Sequence, residues 1–447
     1  MRFLKRKKKQ LSDLPIPLPD QALSFLHSAQ DYRLKLLELI AQAQHRILIC
    51  SLYLQDDLAG QEILEALYQA KQRRPVLDIV VLVDWHRAQR GLIGAAKSLG
   101  NAALYQRRAE HYGYSIPIYG IPVQTRELFG VLHLKGFVID DTVLYSGASL
   151  NNVYLHKQDK YRHDRYLLLQ SKELADCMQQ YARQHLFSAA AVHRLDKPGI
   201  PATKQIRGEI RAFRQKLKSA RYEWHQQEQA VAGLSVLPVV GVGKNNPLNR
   251  QLLLLLSQAK QQITICTPYF NFPLAVKREI ASALKRGIQV DIIIGDKTAN
   301  DFYIPPDQEF KFIGALPYLY EMNLRRFSKT YQRYLQSGLL RLHLWQHEDN
   351  SYHLKGIWLD QDYTIVTGNN LNPRAFRLDL ENALIIHDPQ LQILPQRQQE
   401  LASIYQHTQA LQSYQQLQSL DDYPLPVQKL LRRLSRARLD RLAYRVL

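Results

Sequence analysis

HLKGFVIDD (133–141) and HLKGIWLDQ (353–361) carry one pattern, His-x-Lys-x-x-x-x-Asp, twice in a single chain of 447 residues. From the frequencies of the three residue types, two chance matches are expected in roughly one such sequence in a thousand. The flanks repeat as well. Ahead of the first copy, HRILICSLYL (45–54) reads as a strand, GQEILEALYQAKQRR (60–74) as an amphipathic helix and LDIVVLVD (77–84) as a buried strand. Ahead of the second, QQITICTPYF (261–270), PLAVKREIASALKRG (273–287) and VDIIIGD (290–296) follow in the same order. After each copy, DRYLLLQ (164–170) or ENALIIH (381–387) opens a further strand that leads into a helical stretch.

A period of half the chain is too long for a solenoid. The sequence therefore predicts an α/β protein of two tandem homologous lobes, each a mixed sheet between helix layers. The expected division is a basic N-terminal arm (1–20), a first lobe (21–190) and a connector with a basic amphipathic helix (191–235). A second lobe (236–410) and a basic amphipathic tail (411–447) complete it.

Charge narrows the partners. Lys and Arg number 59 against 40 Asp and Glu, leaving +19, a field that attracts phosphate-bearing surfaces without choosing among them. The three cysteines, Cys50, Cys177 and Cys266, lack the spacing of a disulfide framework or a thiolate metal site and read as small buried hydrophobes. The start, MRFLKRKKKQLSDLPIPLP, lacks a signal peptide's apolar segment, and no run approaches the ~18–20 apolar residues that span a bilayer. The expected place is the cytoplasm, against the inner face of the membrane.

In a strand, alternate residues share a face, so His133 and Lys135 are expected to point one way, as are His353 and Lys355. An ammonium beside an imidazole repels a metal cation and suits a phosphate. Lysine neutralises non-bridging oxygens, while neutral histidine attacks phosphorus or moves a proton near neutral pH. Gly147 and Asn151 follow the first copy, Gly368 and Asn372 the second; glycine lets backbone approach a phosphate, and the asparagine amide donates to an oxygen. No metal and no cofactor are expected.

These motifs resemble those of the phospholipase D superfamily, in which His-x-Lys-x4-Asp-x6-Gly-Ser-x-x-Asn occurs twice and the copies face each other across one active site. The first copy has Ala148 in the usual serine position, followed by Ser149. The second has an extra residue before Gly368, then Asn369 and Asn370. The resemblance implies a site at a pseudo-twofold interface between the lobes, with His133, Lys135, Asp140, His353, Lys355 and Asp360 as its catalytic set. It further implies Asn151, Asn372, Ser149 and Asn370 around the phosphate, and Asp164 and Glu381 as carboxylates that orient the histidines. Asp140 and Asp360 are expected to brace their turns.

Within the superfamily, residues 125–168 and 353–385 are similar to the bacterial phosphatidylserine synthases of the phospholipase D type. That likeness implies transfer of a phosphatidyl group from CDP-diacylglycerol to L-serine through a phosphatidyl-histidine, with release of CMP. His133 is then the expected nucleophile and His353 the proton carrier, roles that the sequence alone leaves interchangeable. A hydrolase or nuclease acting on a phosphodiester is the alternative, and no specific nucleic acid partner is expected.

A diacyl substrate calls for reversible docking on an anionic membrane. Candidate contacts are Arg207, Arg211, Phe213 and Arg214 in KQIRGEIRAFRQKLKSARYEW (204–224), and Lys429, Arg432, Arg433 and Arg436 in VQKLLRRLSRARLDRLAYRVL (427–447). The aromatic and basic segment 301–345 is a third. DWHRAQRG (84–91) offers His86, Arg87 or Arg90 to a pyrophosphate, although a solvated loop is the plainer reading. The run from Tyr154 to Arg165 is equally suited to holding serine or nucleotide and to packing.

Overall fold

A computed structural model describes residues 14–19, 21–91, 100–225, 232–305 and 307–436. The repeated order of elements becomes two sheets of one plan. In the first, Arg46–Cys50 is flanked on one side by parallel Asp78–Asp84 and then Ile118–Ile121, and on the other by antiparallel Phe137–Ile139, Thr142–Ser146 and Tyr166–Gln170. In the second, Gln262–Thr267 takes the central place. Gln289–Gly295 and Leu340–Trp345 run parallel to it; Gly356–Leu359, Tyr363–Thr367 and Leu380–His387 continue antiparallel on the other side. The equivalent helices Leu58–Arg73 and Leu274–Lys285 supply the crossovers between the parallel strands.

The last Asp of each motif sets the hairpin that follows it. Asp140 (φ 51°) and Asp360 (φ 47°) take the left-handed conformation that closes the turn. The Asp140 carboxylate accepts the N–H groups of Gln44, His45 and Arg46 at 2.7–3.0 Å, and the Asp360 carboxylate those of Lys260, Gln261 and Gln262 at 2.7–3.1 Å. Each therefore ties its hairpin to the start of its lobe's central strand. Their inclusion in the catalytic set is corrected: their carboxylate oxygens are committed to backbone at the hairpins that follow Phe137–Ile139 and Gly356–Leu359.

The two lobes share a core. Val236, Val240, Val242, Leu380, Leu384 and Ile386 of the second sheet lie in one buried cluster with the first lobe's interior. Ile16–Pro17, within the expected basic arm, pairs with the edge strand Ser235–Val242. His193–Arg194, within the expected connector, joins the first sheet beside Ile118–Ile121. All three cysteines are buried, and burial pushes their thiols up to about 12.

The apolar stripes expected to enter lipid face inward instead. In the helix Arg207–Ser219, Ile210, Phe213 and Leu217 are buried in the core, and Arg214 donates from Nη1 to the carbonyls of Val123 and Leu378. Phe213 and Arg214 are thus not membrane contacts, whereas Arg207 and Arg211 are exposed. In Leu425–Arg436, Val427, Leu431 and Leu434 pack on Tyr318, Leu319 and Tyr423, leaving Lys429, Arg432, Arg433 and Arg436 outward. The helix Leu316–Thr330 likewise buries Tyr318, Tyr320, Leu324 and Phe327. An amphipathic helix satisfies a protein core as readily as an acyl boundary, which is why its pattern did not choose. KRKKK (5–9), Leu442 and Val446 lie outside the described residues. Among the described residues no helix is long and apolar enough to cross a membrane.

A buried ion pair locks the lobes together. Arg165 of the first reaches Glu400 of the second, with Nη2 to Oε2 at 2.7 Å; its guanidinium stacks 4.3 Å from the Trp358 ring centroid, and Trp358 Nε1 donates to the same carboxylate at 3.3 Å. Removing one partner strands a charge in the interior. Glu400→Ala is expected to cost about 3–5 kcal/mol, read as an earlier urea transition; an unchanged midpoint would show that the pair is dispensable.

Candidate active site

The motif is not one strand in either lobe. Leu132–His133 leaves its own sheet and pairs parallel with the second lobe's Leu380–Glu381, placing His133 directly opposite Glu381. Ser351–Tyr352 pairs parallel with the first lobe's Arg162–His163, and the N–H of His353 donates to the His163 carbonyl at 2.8 Å, which brings His353 alongside Asp164. Four residues after His133 and three after His353 the chain re-enters its own sheet, at Phe137 and Gly356. The His-x-Lys segments are thus two crossovers between lobes, and they bring both histidines, both lysines and both carboxylates into one site.

His133 Nδ1 lies 2.9 Å from both oxygens of Glu381. Lys355 Nζ donates to Asp164 Oδ2 at 2.8 Å and meets His353 Nδ1 at 2.6 Å, while the Tyr154 hydroxyl lies 2.9 Å from that same Nδ1. Asp164 itself stands 3.8 Å from His353, so it orients the ring chiefly through Lys355. Lys135 is held by its backbone: its N–H donates to Asn382 Oδ1 and its carbonyl accepts from Asn382 Nδ2, both at 2.8 Å, while its Nζ is buried without a hydrogen-bond partner among the described residues. An ammonium so placed is a binding group in want of an anion.

The two glycines after the motifs are needed for close approach, and the approach is again crossed. A Cβ on Gly147 would stand 2.6 Å from Lys355 Nζ, and one on Gly368 would stand 2.7 Å from Lys135 Cγ. Beyond them, Asn151 Oδ1 accepts from the Tyr154 N–H at 3.0 Å and Asn372 Oδ1 from the Ala375 N–H at 2.8 Å, equivalent caps that fix both side chains. Ser149 is buried, and Asn370 has its Oδ1 buried without a partner.

Charge is finely set. Burial, reinforced by Lys135, Lys355 and His353, holds the His133 pKa well below the ordinary imidazole range. Burial and Lys355 bring His353 down to about 4, against an upward pull from Asp301 and Asp164. Both rings are neutral near pH 7. Burial and Lys355 lower Lys135 to about 8, despite Glu381; burial also lowers Lys355. Burial and Asp379 push Glu381 upward, against the pull of Lys135. For Asp164, burial raises the pKa, but the Lys355 ammonium and the His353 contacts outweigh it and the net shift is downward.

Sequence reasoning missed several members. Asp301 and Tyr269 carry no motif, and Asn382 was legible only as the neighbour of Glu381. Arg162 and Tyr154 fall in the run held equally suited to binding and packing. Arg90 Nε and Glu127 pair at 2.6 Å and Arg87 lies 3.9 Å from Glu127, while Arg374, paired with Asp379 at 3.1 Å, adds its charge near His133.

Two lobes that share one phosphate-seeking site with paired His-x-Lys crossovers define a class. The family model for the cardiolipin synthase PLD-like domain matches residues 36–186 and 252–408, and the chain belongs to that phospholipase D-like family. It is 52% identical over 447 residues to the CDP-diacylglycerol–serine O-phosphatidyltransferase PssA of Escherichia coli, covering 99% of each chain. It is 49% identical to the enzyme of the same name from Haemophilus influenzae, again over 99% of each. The crystal structure of phosphatidylserine synthase from Haemophilus influenzae superposes with a TM-score of 0.93 at 48% identity, over 97% of both chains.

Lysine is charged below its pKa, so Lys135 should lose its charge as pH rises through about 8. Titration of 15N-labelled lysine followed by NMR is expected to show one such early midpoint. Lys355→Met should raise it by removing a neighbouring cation; an ordinary lysine midpoint would refute the buried-pair electrostatics.

Proposed function

We propose that this protein is a CDP-diacylglycerol–serine O-phosphatidyltransferase, carrying phosphatidyl from CDP-diacylglycerol to L-serine with release of CMP. The observation that supports it most directly is the pair of buried histidines, one from each lobe, brought into one site with two buried lysines. Full-length likeness to serine phosphatidyltransferases favours transfer over hydrolysis or nuclease action.

The partners of the two rings support distinct roles. Glu381 faces Nδ1 of neutral His133 and keeps the ring proton there, so Nε2 carries the lone pair and is the nucleophile. The Lys355 ammonium donates to Nδ1 of His353, so the proton of that ring sits on Nε2 and faces the opposite way. The negative pyrophosphate raises the proton affinity of His353, which takes up a solvent proton at Nδ1 as substrate binds and Lys355 turns from that atom to the phosphate. His133 Nε2 then bonds to the phosphatidyl phosphorus, the bond to CMP breaks, and His353 gives its Nε2 proton to the departing oxygen. In the second half, His353 takes the serine hydroxyl proton, the serine oxygen bonds to phosphorus and the P–N bond breaks. Lys135, Lys355 and the amides of Asn151 and Asn372 hold the non-bridging oxygens as charge builds.

Outward Lys429, Arg432, Arg433 and Arg436, with Arg207 and Arg211, support reversible docking on an anionic leaflet at the inner face of the membrane, each base near the surface contributing ~1 kcal/mol.

Purified protein in mixed micelles with CDP-diacylglycerol is expected to release CMP only when serine is present. His133→Ala and His353→Ala should each lower turnover by several orders of magnitude and retain the fold. Serine-independent release would favour a hydrolase, and near-normal rates in either variant would reject the shared site. Sedimentation with anionic vesicles should be lost at high salt; salt-indifferent binding would mean that the bases are not the anchor.

A further inference from the structure

The two halves match in their motif lysines and in their crossovers but not in what surrounds each histidine. Two positions before Glu381 stands Asp379, whose partner is Arg374 at 3.1 Å. Two positions before Asp164, the equivalent place, stands Arg162, whose partner is Asp301 at 3.3 Å. The charge has been reversed across the pseudo-twofold. Near His133, Arg374, Arg87 and Arg90 gather around Glu127, an arrangement weighted towards anions. Near His353, besides Lys355 and Asp164, stand one further cation, Arg162, and one further anion, Asp301.

Arg162 is well anchored. It lies in the crossover strand, its Nε donates to Ser351 Oγ at 3.1 Å two residues before His353, and its guanidinium sits 4.6 Å from the Tyr154 ring centroid. Asp301 spends Oδ2 on Arg162, and Arg162, His353 and Tyr269 support its charge, while its Oδ1 is buried without a hydrogen-bond partner among the described residues. The two side chains are only 15% and 14% exposed, so both charges are largely withdrawn from water. Tyr154 and Tyr269 meet the His353 ring edge-on at 5.6 and 5.7 Å, and Arg162 and Asp301 act electrostatically on both tyrosines.

A half-satisfied carboxylate beside a fixed guanidinium is costly to bury without a ligand of matching charge. We infer that Arg162 and Asp301 form the subsite for the zwitterionic α-amino acid acceptor, Asp301 Oδ1 taking its ammonium and the Arg162 guanidinium its carboxylate. This rests on the phosphatidyl-transfer reading above. The side chain of an amino acid held by both charged ends is thereby directed at His353, which removes the hydroxyl proton. An acceptor bearing only negative charge is repelled by Asp301, and one lacking a carboxylate leaves Arg162 unmatched.

The test separates the two half-reactions. Exchange of labelled CMP into CDP-diacylglycerol reports formation of the P–N bond without any acceptor, and serine-dependent release of CMP reports the whole cycle. Asp301→Asn is expected to raise the KM for serine at least tenfold, with the KM for CDP-diacylglycerol within about threefold of the unaltered enzyme; loss of its pull on His353 lowers exchange and transfer turnover alike, so saturation by serine rather than rate is the readout. Arg162→Lys keeps the ion pair but not the fork and should also raise the serine KM, which retains a decision if the first variant folds poorly. An unchanged serine KM in either folded variant would overturn the inference. So would a raised KM for CDP-diacylglycerol, which would put the pair in the donor site. If the unaltered protein shows neither exchange nor serine-dependent release, the proposed reaction fails rather than the subsite.

Discussion

Two short parallel pairings across the lobe boundary, Leu132–His133 on Leu380–Glu381 and Ser351–Tyr352 on Arg162–His163, decide everything at the centre of this molecule. Strand pairing is specific in register, and a slip of one residue would turn each histidine to the opposite face. Because each crossover is hydrogen-bonded to the other lobe, neither lobe alone completes its own histidine: the carboxylate that faces His133 belongs to a segment 248 positions away. Duplication is therefore a requirement of the site's construction, beyond supplying two copies of a residue.

Bringing two lysines into one buried site is unfavourable: burial lowers the proton affinity of both, and the Lys355 ammonium lowers that of Lys135 further. The fold holds them with unequal means. Lys355 has Asp164, which it keeps ionised, and is pressed against Gly147; Lys135 is fixed by the two hydrogen bonds of Asn382 to its backbone, with its Nζ left open. The second arrangement makes the ammonium available to a phosphate at the cost of a lowered pKa, and the missing Cβ at Gly368 is what admits its side chain. A like-charge pair that is uncomfortable when empty binds an anion with less desolvation still to be met.

Much of this was legible in the sequence because it is written in local pattern. Alternation and helical spacing placed both sets of central strands and crossover helices, and the repetition of His-x-Lys marked the groups that meet in the site. Asp140 and Asp360 share that pattern yet lie outside the chemistry, since the motif's regular spacing spans a hairpin and its last residue serves the turn. What could not be read was direction. Ile210, Phe213 and Leu217 repeat at helical spacing whether they face lipid or core, and only the presence of the first lobe's interior beneath them decides it. The break of the motif strand between His133 and Phe137 depends on pairing with residues from the other half, which no local window contains.

The pseudo-symmetry of the cleft is broken at three depths. At the rings, Glu381 faces Nδ1 of His133 whereas Lys355 faces Nδ1 of His353. One residue further on, Asn382 and Arg165 occupy matching places after Glu381 and Asp164; one braces Lys135, and the other leaves the site to pair with Glu400. Outside these, Asp379 and Arg162 exchange sign. Each change is a single residue on a backbone plan that both lobes share, and together they give the two histidines unlike surroundings.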